Sequence, residues 1–286
     1  MTSREGRSAQ NQEQATDRAL LATCVAAAIR AGDVIRAASA TLADVRWEEK
    51  GPADFVSEVD RGAEQALGTV IRERHPDAVL IAEEGTPGAE SASLTFVADP
   101  LDGTTNFLHG FPWYAVSIAA LVDGELAAGA VLNVANGELF TAARGGGARK
   151  NGQPIAVSRI TEPSRSLVGT GFPFKHREGF APFLRVLPGI MESTAGVRRP
   201  GSASLDLCDV ACGRFEAFWE FRLAPWDVAA GILLVREAGG IVTDLDGNPA
   251  PVDHGPIVAG NPAMHAWLLR ELGRGTGDER TTGGPG

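Results

Sequence analysis

The apolar positions of this chain switch repeatedly between the helical and the strand period. From Leu20 to Ala40 they fall at Leu20, Leu21, Cys24, Ala28, Val34 and Ile35, among alanines and without proline. That spacing predicts a long helix. Trp47–Pro52 reads as a strand running into a turn, and 61–74 as a helix that stops before His75-Pro76. Val79–Ala82 and Leu94–Ala98 are short β-branched and apolar runs, hence strands. Tyr114–Val122 and Glu125–Leu132 flank Asp123-Gly124, a hairpin signal. Gly137–Ala142 is a further strand, followed by a turn at Asn151-Gly152. The pattern restarts near Thr161. Strands are predicted over Leu167–Gly171, Phe215–Phe221, Ile241–Thr243 and Pro256–Gly260. Helices are predicted over Phe180–Leu187, stopped by Pro188-Gly189, then Ala203–Cys212, Val228–Ala238 and Pro262–Leu272. The organisation expected is a polar tail over 1–14, an α+β part over 15–160, an α/β part over 161–272 and a second tail over 273–286.

Candidate chemistry concentrates in Asp99-Pro100-Leu101-Asp102-Gly103-Thr104-Thr105-Asn106-Phe107. It follows a predicted strand that proline should end. Asp99 thus lies at a strand's carboxyl end, where α/β sheets place ligands. Asp99, Asp102 and the Leu101 carbonyl offer only hard oxygens, which suits Mg²⁺ better than zinc or copper. The head of a helix at Gly103-Thr104 presents N–H groups suited to phosphate. The alternative is a surface turn, since Asp and Gly favour turns. Further acids lie at Glu83-Glu84, at the end of another strand, and at Asp60, Glu220 and Asp227. Asp60 and Asp227 also suit helix caps, as does Ser202. Gly145-Gly146-Gly147 lacks the Lys-Ser/Thr of a P-loop.

Two segments resemble the signatures of the inositol monophosphatase family: Asp99–Phe107, and Trp226-Asp227-Val228-Ala229-Ala230-Gly231. The resemblance runs from about Leu20 to about Leu269. It implies a layered α+β sandwich, the αβαβα sugar-phosphatase fold, and a phosphomonoesterase using two or three Mg²⁺ ions. By the same match Glu83, Asp99 and the Leu101 carbonyl would hold one ion, and Asp99, Asp102 and Asp227 a second, with a weaker third near Glu83. Glu83 and Thr104 would activate water, with Asp60 orienting Thr104. Substrate would meet Glu83, Leu101, Asp102, Gly103, Thr104, Thr105, Arg198, Gly201, Ser202, Ala203, Glu220 and Asp227. Inositol monophosphate is the substrate implied. Related esters (histidinol phosphate, fructose bisphosphate or an adenosine bisphosphate) are the alternatives, followed by a metal-dependent binding protein. The resemblance also implies lithium inhibition and a homodimer.

Composition narrows this further. The chain of 286 residues has 26 Lys plus Arg against 36 Asp plus Glu, a net charge of −10. An acidic chain without a basic run is a poor nucleic-acid binder. A bound metal reverses the sign locally, so phosphate remains compatible. Three cysteines, Cys24, Cys208 and Cys212, do not make a disulfide framework. No apolar run reaches the roughly 18 residues of a membrane span. The first 14 residues lack a signal peptide's apolar core. A cytoplasmic location is the expectation. His109, His176, His254 and His265 are scattered without metal-ligand spacing, and His75 reads as a surface residue.

Overall fold

The computed structural model describes residues 2–51, 54–85, 92–174, 177–250 and 252–276. The first half of the chain contributes α1 (Thr2–Ser39), β1 (Trp47–Gly51), β2 (Asp54–Ser57), α2 (Glu58–Arg74), β3 (Val79–Ala82), β4 (Leu94–Asp102), α3 (Thr104–Leu108), β5 (Ala115–Val122), β6 (Glu125–Asn133), β7 (Leu139–Ala143), β8 (Ala148–Lys150) and β9 (Gln153–Pro154). The second half contributes β10 (Leu167–Thr170), α4 (Phe180–Ser193), β11 (Gly196–Arg198), α5 (Ala203–Ala211), β12 (Ala217–Leu223), α6 (Pro225–Glu237), β13 (Ile241–Thr243), β14 (Gly255–Gly260) and α7 (Pro262–Thr276).

The strands form a seven-stranded sheet ordered β3-β4-β5-β6-β7-β8-β9 and a five-stranded sheet ordered β11-β10-β12-β14-β13, beside the small β1-β2 pair. β5 is buried at nearly every position and β6 at all but its first, as a strand covered on both faces must be. One face meets α1 and α2 over Leu20, Ile35, Leu67 and Ile71. The other meets α6, which packs with α5 between the two sheets. The far side of the five-stranded sheet is closed by α4 and α7 around Phe183, Trp219 and Leu268. The layers therefore run αβαβα. The helices between the sheets approach closely: a Cβ on Gly231 of α6 would lie 2.4 Å from Leu207 Cδ1 of α5.

Several elements depart from the sequence-based expectation. α1 begins at Thr2, inside the stretch read as a tail. Residues 2–20 contain one glycine and no proline, so nothing in them breaks a helix. At the other end α7 continues through Thr276, and residues 277–286 of the expected tail lie outside the described residues. So do residues 86–91 of the loop expected after Glu84. α4 passes through Pro188 rather than ending there, because Phe183, Val186 and Ile190 form one buried stripe across it. Asp227 is not a cap. The helix begins two residues earlier, at Pro225, and the Asp227 carboxylate reaches back to accept the Ala224 N–H at 2.7 Å. His75 is half-buried rather than free. Its Nε2 lies 3.0 Å from Thr23 Oγ1 and its ring packs on Phe96.

Candidate active site

β4 does not end at Pro100. Asp99 pairs with Ser117 and Asp102 with Ala115, so one extra residue is accommodated between them. Proline falls within this bulge, where no ladder donor is required. In an unbroken strand, residues three apart face opposite sides. The bulge brings both Asp99 and Asp102 to the wall of one cleft of about 720 Å³. The chain then turns at Gly103, whose φ of 90° is the left-handed region. A Cβ there would also stand 3.0 Å from the Trp113 carbonyl. Glycine thus suits both the backbone and the space.

The cleft gathers residues from distant segments. Glu83, Asp99, Leu101, Asp102, Gly103, Thr104 and Thr105 line it with Gly201, Ser202, Ala203, Glu220 and Asp227. Several of these acids accept hydrogen bonds from the protein. Asp99 Oδ1 accepts the Leu101 N–H at 2.9 Å. Asp102 Oδ2 accepts from Ser202 Oγ at 2.6 Å, and from the Ser204 N–H at 2.8 Å and its Oγ at 2.5 Å. Ser202 was expected to cap α5, but its hydroxyl goes to Asp102 instead. Thr104 Oγ1 stands 2.8 Å from Asp60 Oδ1 and 3.0 Å from the Leu101 carbonyl. Asp60 makes both of the contacts weighed from the sequence. Its Oδ2 accepts the Ser57 N–H at 2.8 Å in the capping box of α2, and its Oδ1 holds Thr104.

Burial raises Asp99 well above the usual carboxylate range, and the charges of Glu83, Asp102 and Asp227 raise it further. Burial also raises Asp102, while the Ser202 and Ser204 hydrogen bonds oppose it. Lys50 lies 3.6 Å from Glu83 and 2.7 Å from Glu84. Burial works against the Lys50 charge, but the Glu84 hydrogen bond and the two acids hold its pKa up. Glu84 thus pairs with Lys50.

Among the described residues, no three His, Cys, Asp or Glu side chains form a ready-made metal group. The acids turn oxygens toward Leu101, Ser202, Ser204 and Ala224 instead. The donor set still fits a hard divalent cation. It consists of carboxylates and a backbone carbonyl, and the carboxylates repel one another around Asp99.

Arg198 is not placed in the cleft wall. It is exposed, and its Nη1 donates to the Val197 carbonyl. Arg199 lines the cleft instead, its guanidinium 5.5 Å and 5.1 Å from the ring centroids of Phe172 and Phe174. Sequence reasoning also missed Ser204 and Asn106. Asn106 Nδ2 donates to the Trp113 and Pro200 carbonyls at 2.8 and 2.9 Å, tying the first motif to the loop before α5. A polar residue inside an otherwise specific motif was the available signal. The Gly145–Gly147 turn binds an internal anion: the N–H groups of Gly145 and Gly147 hold the Glu237 carboxylate, each at 2.8 Å.

The model of the inositol monophosphatase family matches residues 17–276, nearly the whole cleft-bearing chain. The chain belongs to the inositol monophosphatase family. A putative Nus factor SuhB of Neisseria meningitidis serogroup B is 45% identical over 251 residues, covering 87% of this chain and 96% of that one. An inositol-1-monophosphatase of Mesorhizobium japonicum is 42% identical over 255 residues, covering 89% and 96%. The crystal structure of the extragenic suppressor protein suhB from Bartonella henselae superposes with a TM-score of 0.85 at 41% identity, covering 89% of this chain and 98% of that one. Membership of the inositol monophosphatase family supports a metal-dependent phosphatase acting on small phosphate esters. The layered fold expected from the two signatures is the fold observed. No helix among the described residues is long and apolar enough to cross a membrane.

Proposed function

We propose that this chain is a Mg²⁺-dependent phosphomonoesterase that hydrolyses inositol monophosphate to inositol and phosphate. The observation that carries the reading is the convergence of Glu83, Asp99, Asp102 and Asp227, from three separated segments, on the cleft that also holds the Thr104–Asp60 pair. Glu83, Asp99 and the Leu101 carbonyl would hold one ion, and Asp99, Asp102 and Asp227 another. Bound there, Mg²⁺ supplies Lewis acidity and a lowered water pKa.

The residues do the rest. Thr104 takes up a proton from the attacking water and passes its own to Asp60, 2.8 Å away. Glu83, which lines the same cleft, assists that proton transfer. The N–H groups of Gly103 and Thr104 hold phosphate oxygens as charge shifts toward the leaving alkoxide. Glu220 accepts a hydroxyl of the inositol ring, while Ser202 and Ser204 fix Asp102 so that its orientation does not depend on the substrate. No protein nucleophile is required.

The test is phosphate release with Mg²⁺ from inositol 1-phosphate, histidinol phosphate, fructose 1,6-bisphosphate and adenosine 3′,5′-bisphosphate. Release fastest from the inositol ester supports the reading. Equal release in excess EDTA overturns it. The relatives named as Nus factors favour a second reading, a Nus-factor role alongside hydrolysis. A net charge of −10 points such a role toward a protein partner rather than RNA. If the two roles are separate, Asp99→Asn abolishes hydrolysis and leaves the second one intact.

A further inference from the structure

Asp206 sits in the first turn of α5, lines the cleft, and is 1% exposed. No donor among the described residues reaches its Oδ1. A buried carboxyl oxygen without a partner costs stability, because its lost hydration is not replaced. Nearby buried acids accept hydrogen bonds: three reach Asp102 Oδ2, and Asp60 is held by Ser57 and Thr104. Asp206 is the exception, and it lines the cleft.

Its neighbours suggest the occupant. Glu220 and Asp102 lie near enough to push Asp206 upward, after burial itself, and the Arg199 guanidinium partly offsets them. Arg199 is held against two phenylalanine faces and makes no ion pair with a carboxylate among the described residues. Glu220 is seated without slack. A Cβ on Gly171 would lie 2.0 Å from Glu220 Oε2, so glycine there leaves the room its carboxylate occupies. Two acids beside one guanidinium make a poor host for a second phosphate. They make a good host for neighbouring hydroxyls, which donate to carboxyl oxygens and accept from guanidinium N–H groups.

We infer that Asp206, with Arg199, completes a hydroxyl-binding subsite beside Glu220, and that it selects phosphate esters whose leaving group carries adjacent hydroxyls and no second anion. The inference rests on the phosphatase reading above and adds the residues that would choose its substrate. A site built to bind a hydroxyl discriminates strongly against the analogue that lacks it, because its own polar atom is then stranded.

The experiment compares full-length wild type and Asp206→Asn, with Mg²⁺, on inositol 1-phosphate, its singly deoxygenated analogues and phenyl phosphate. Calorimetric binding of free inositol to both proteins is measured alongside. Asp206→Asn is expected to raise KM for inositol 1-phosphate about tenfold, while kcat/KM for phenyl phosphate falls less than threefold. One deoxygenated analogue should cost the wild type about tenfold and cost the variant nothing further. Equal losses on both esters, or full additivity of variant and analogue, would show a merely structural acid and overturn the inference. So would a preference for fructose 1,6-bisphosphate over inositol 1-phosphate. If no ester releases phosphate, the phosphatase reading fails by itself. Inositol binding weakened by Asp206→Asn would then still uphold the subsite, and unchanged binding would end it.

Discussion

Thr104 and Asp60 lie 44 residues apart in the chain, yet Thr104 Oγ1 stands 2.8 Å from Asp60 Oδ1 at the wall of the cleft. The same carboxylate closes the capping box of α2 with its other oxygen. The helix start therefore fixes the acid, and the acid fixes the hydroxyl. Asp60→Asn keeps an oxygen for the cap but removes the negative charge that would draw the Thr104 proton. The expected result is a kcat about 100-fold lower with a small change in thermal midpoint. A variant with normal kcat would remove Thr104–Asp60 from the proton path.

Asp99, in the bulge of β4, has adverse surroundings: burial first, then the charges of Glu83, Asp102 and Asp227. A cation that binds only the folded protein offsets that repulsion. Mg²⁺ at 100 times its Kd should add about 2.7 kcal/mol to unfolding free energy. Asp99→Asn removes both the repulsion and a ligand, so it should abolish phosphate release and most of the Mg²⁺-dependent stabilisation. Thermal melts with Mg²⁺ and with EDTA, on both proteins, check this. A melt that is indifferent to Mg²⁺ in the wild type contradicts the metal assignment.

Asn106 joins the first motif to the loop that precedes α5, through Trp113 and Pro200. That loop delivers Ser202 and Ser204 to Asp102. Asn106→Ala strands two carbonyl partners and loosens the loop. Unfolding free energy should fall by about 1–3 kcal/mol, and kcat should fall with it because Asp102 loses its fixed donors. Urea titration and steady-state kinetics give the two numbers.

The parts of the cleft that the sequence made legible are those carried by local spacing. The run from Asp99 to Phe107 announced its acids and its helix start, and Val79–Ala82 placed Glu83 at a strand end. What stayed hidden came from long-range geometry. Pro100 argued for the end of β4, and only pairing with β5 shows that the strand absorbs it as a bulge. Ser202 and Asp227 had the chemistry of caps, but a nearby carboxylate and an earlier proline gave them other partners. Arg198 and Arg199 are equivalent by composition. Only the positions of Phe172 and Phe174 distinguish the one that enters the cleft.

Away from the cleft, Arg214 bridges Glu138 and Asp209. The Arg214 hydrogen bond lowers Glu138 to about 2, while burial outweighs Arg214 and raises Asp209 to about 6. The two signs differ. Glu138 contributes stability that is present above its ordinary 4.5 and lost as pH falls toward 2. Asp209 contributes stability that is present below its ordinary 3.8 and lost as pH rises through about 6. Relative to wild type, Glu138→Gln should flatten the loss of stability below pH 4.5, and Asp209→Asn should flatten the loss between pH 4 and 6. Urea midpoints measured from pH 3 to 8 on the three proteins separate the limbs.

Gly171 lies at the end of β10, directly under Glu220 of β12. A methyl group there would come within 2.0–2.2 Å of all three carboxylate atoms of Glu220, far inside van der Waals contact. The backbone at Gly171 is not in the left-handed region, so strain in φ is not the issue. Gly171→Ala must therefore move Glu220, and it does so without removing any polar group. If Glu220 receives a ring hydroxyl, KM for inositol 1-phosphate should rise about tenfold while kcat changes less than threefold, since the acids around Asp99 are untouched. Glu220→Gln in the Gly171→Ala background should then cost little more, because the displaced side chain no longer meets the substrate. An additive double variant would show that Glu220 still reaches the ring, and that the room Gly171 leaves is a packing feature without consequence for specificity.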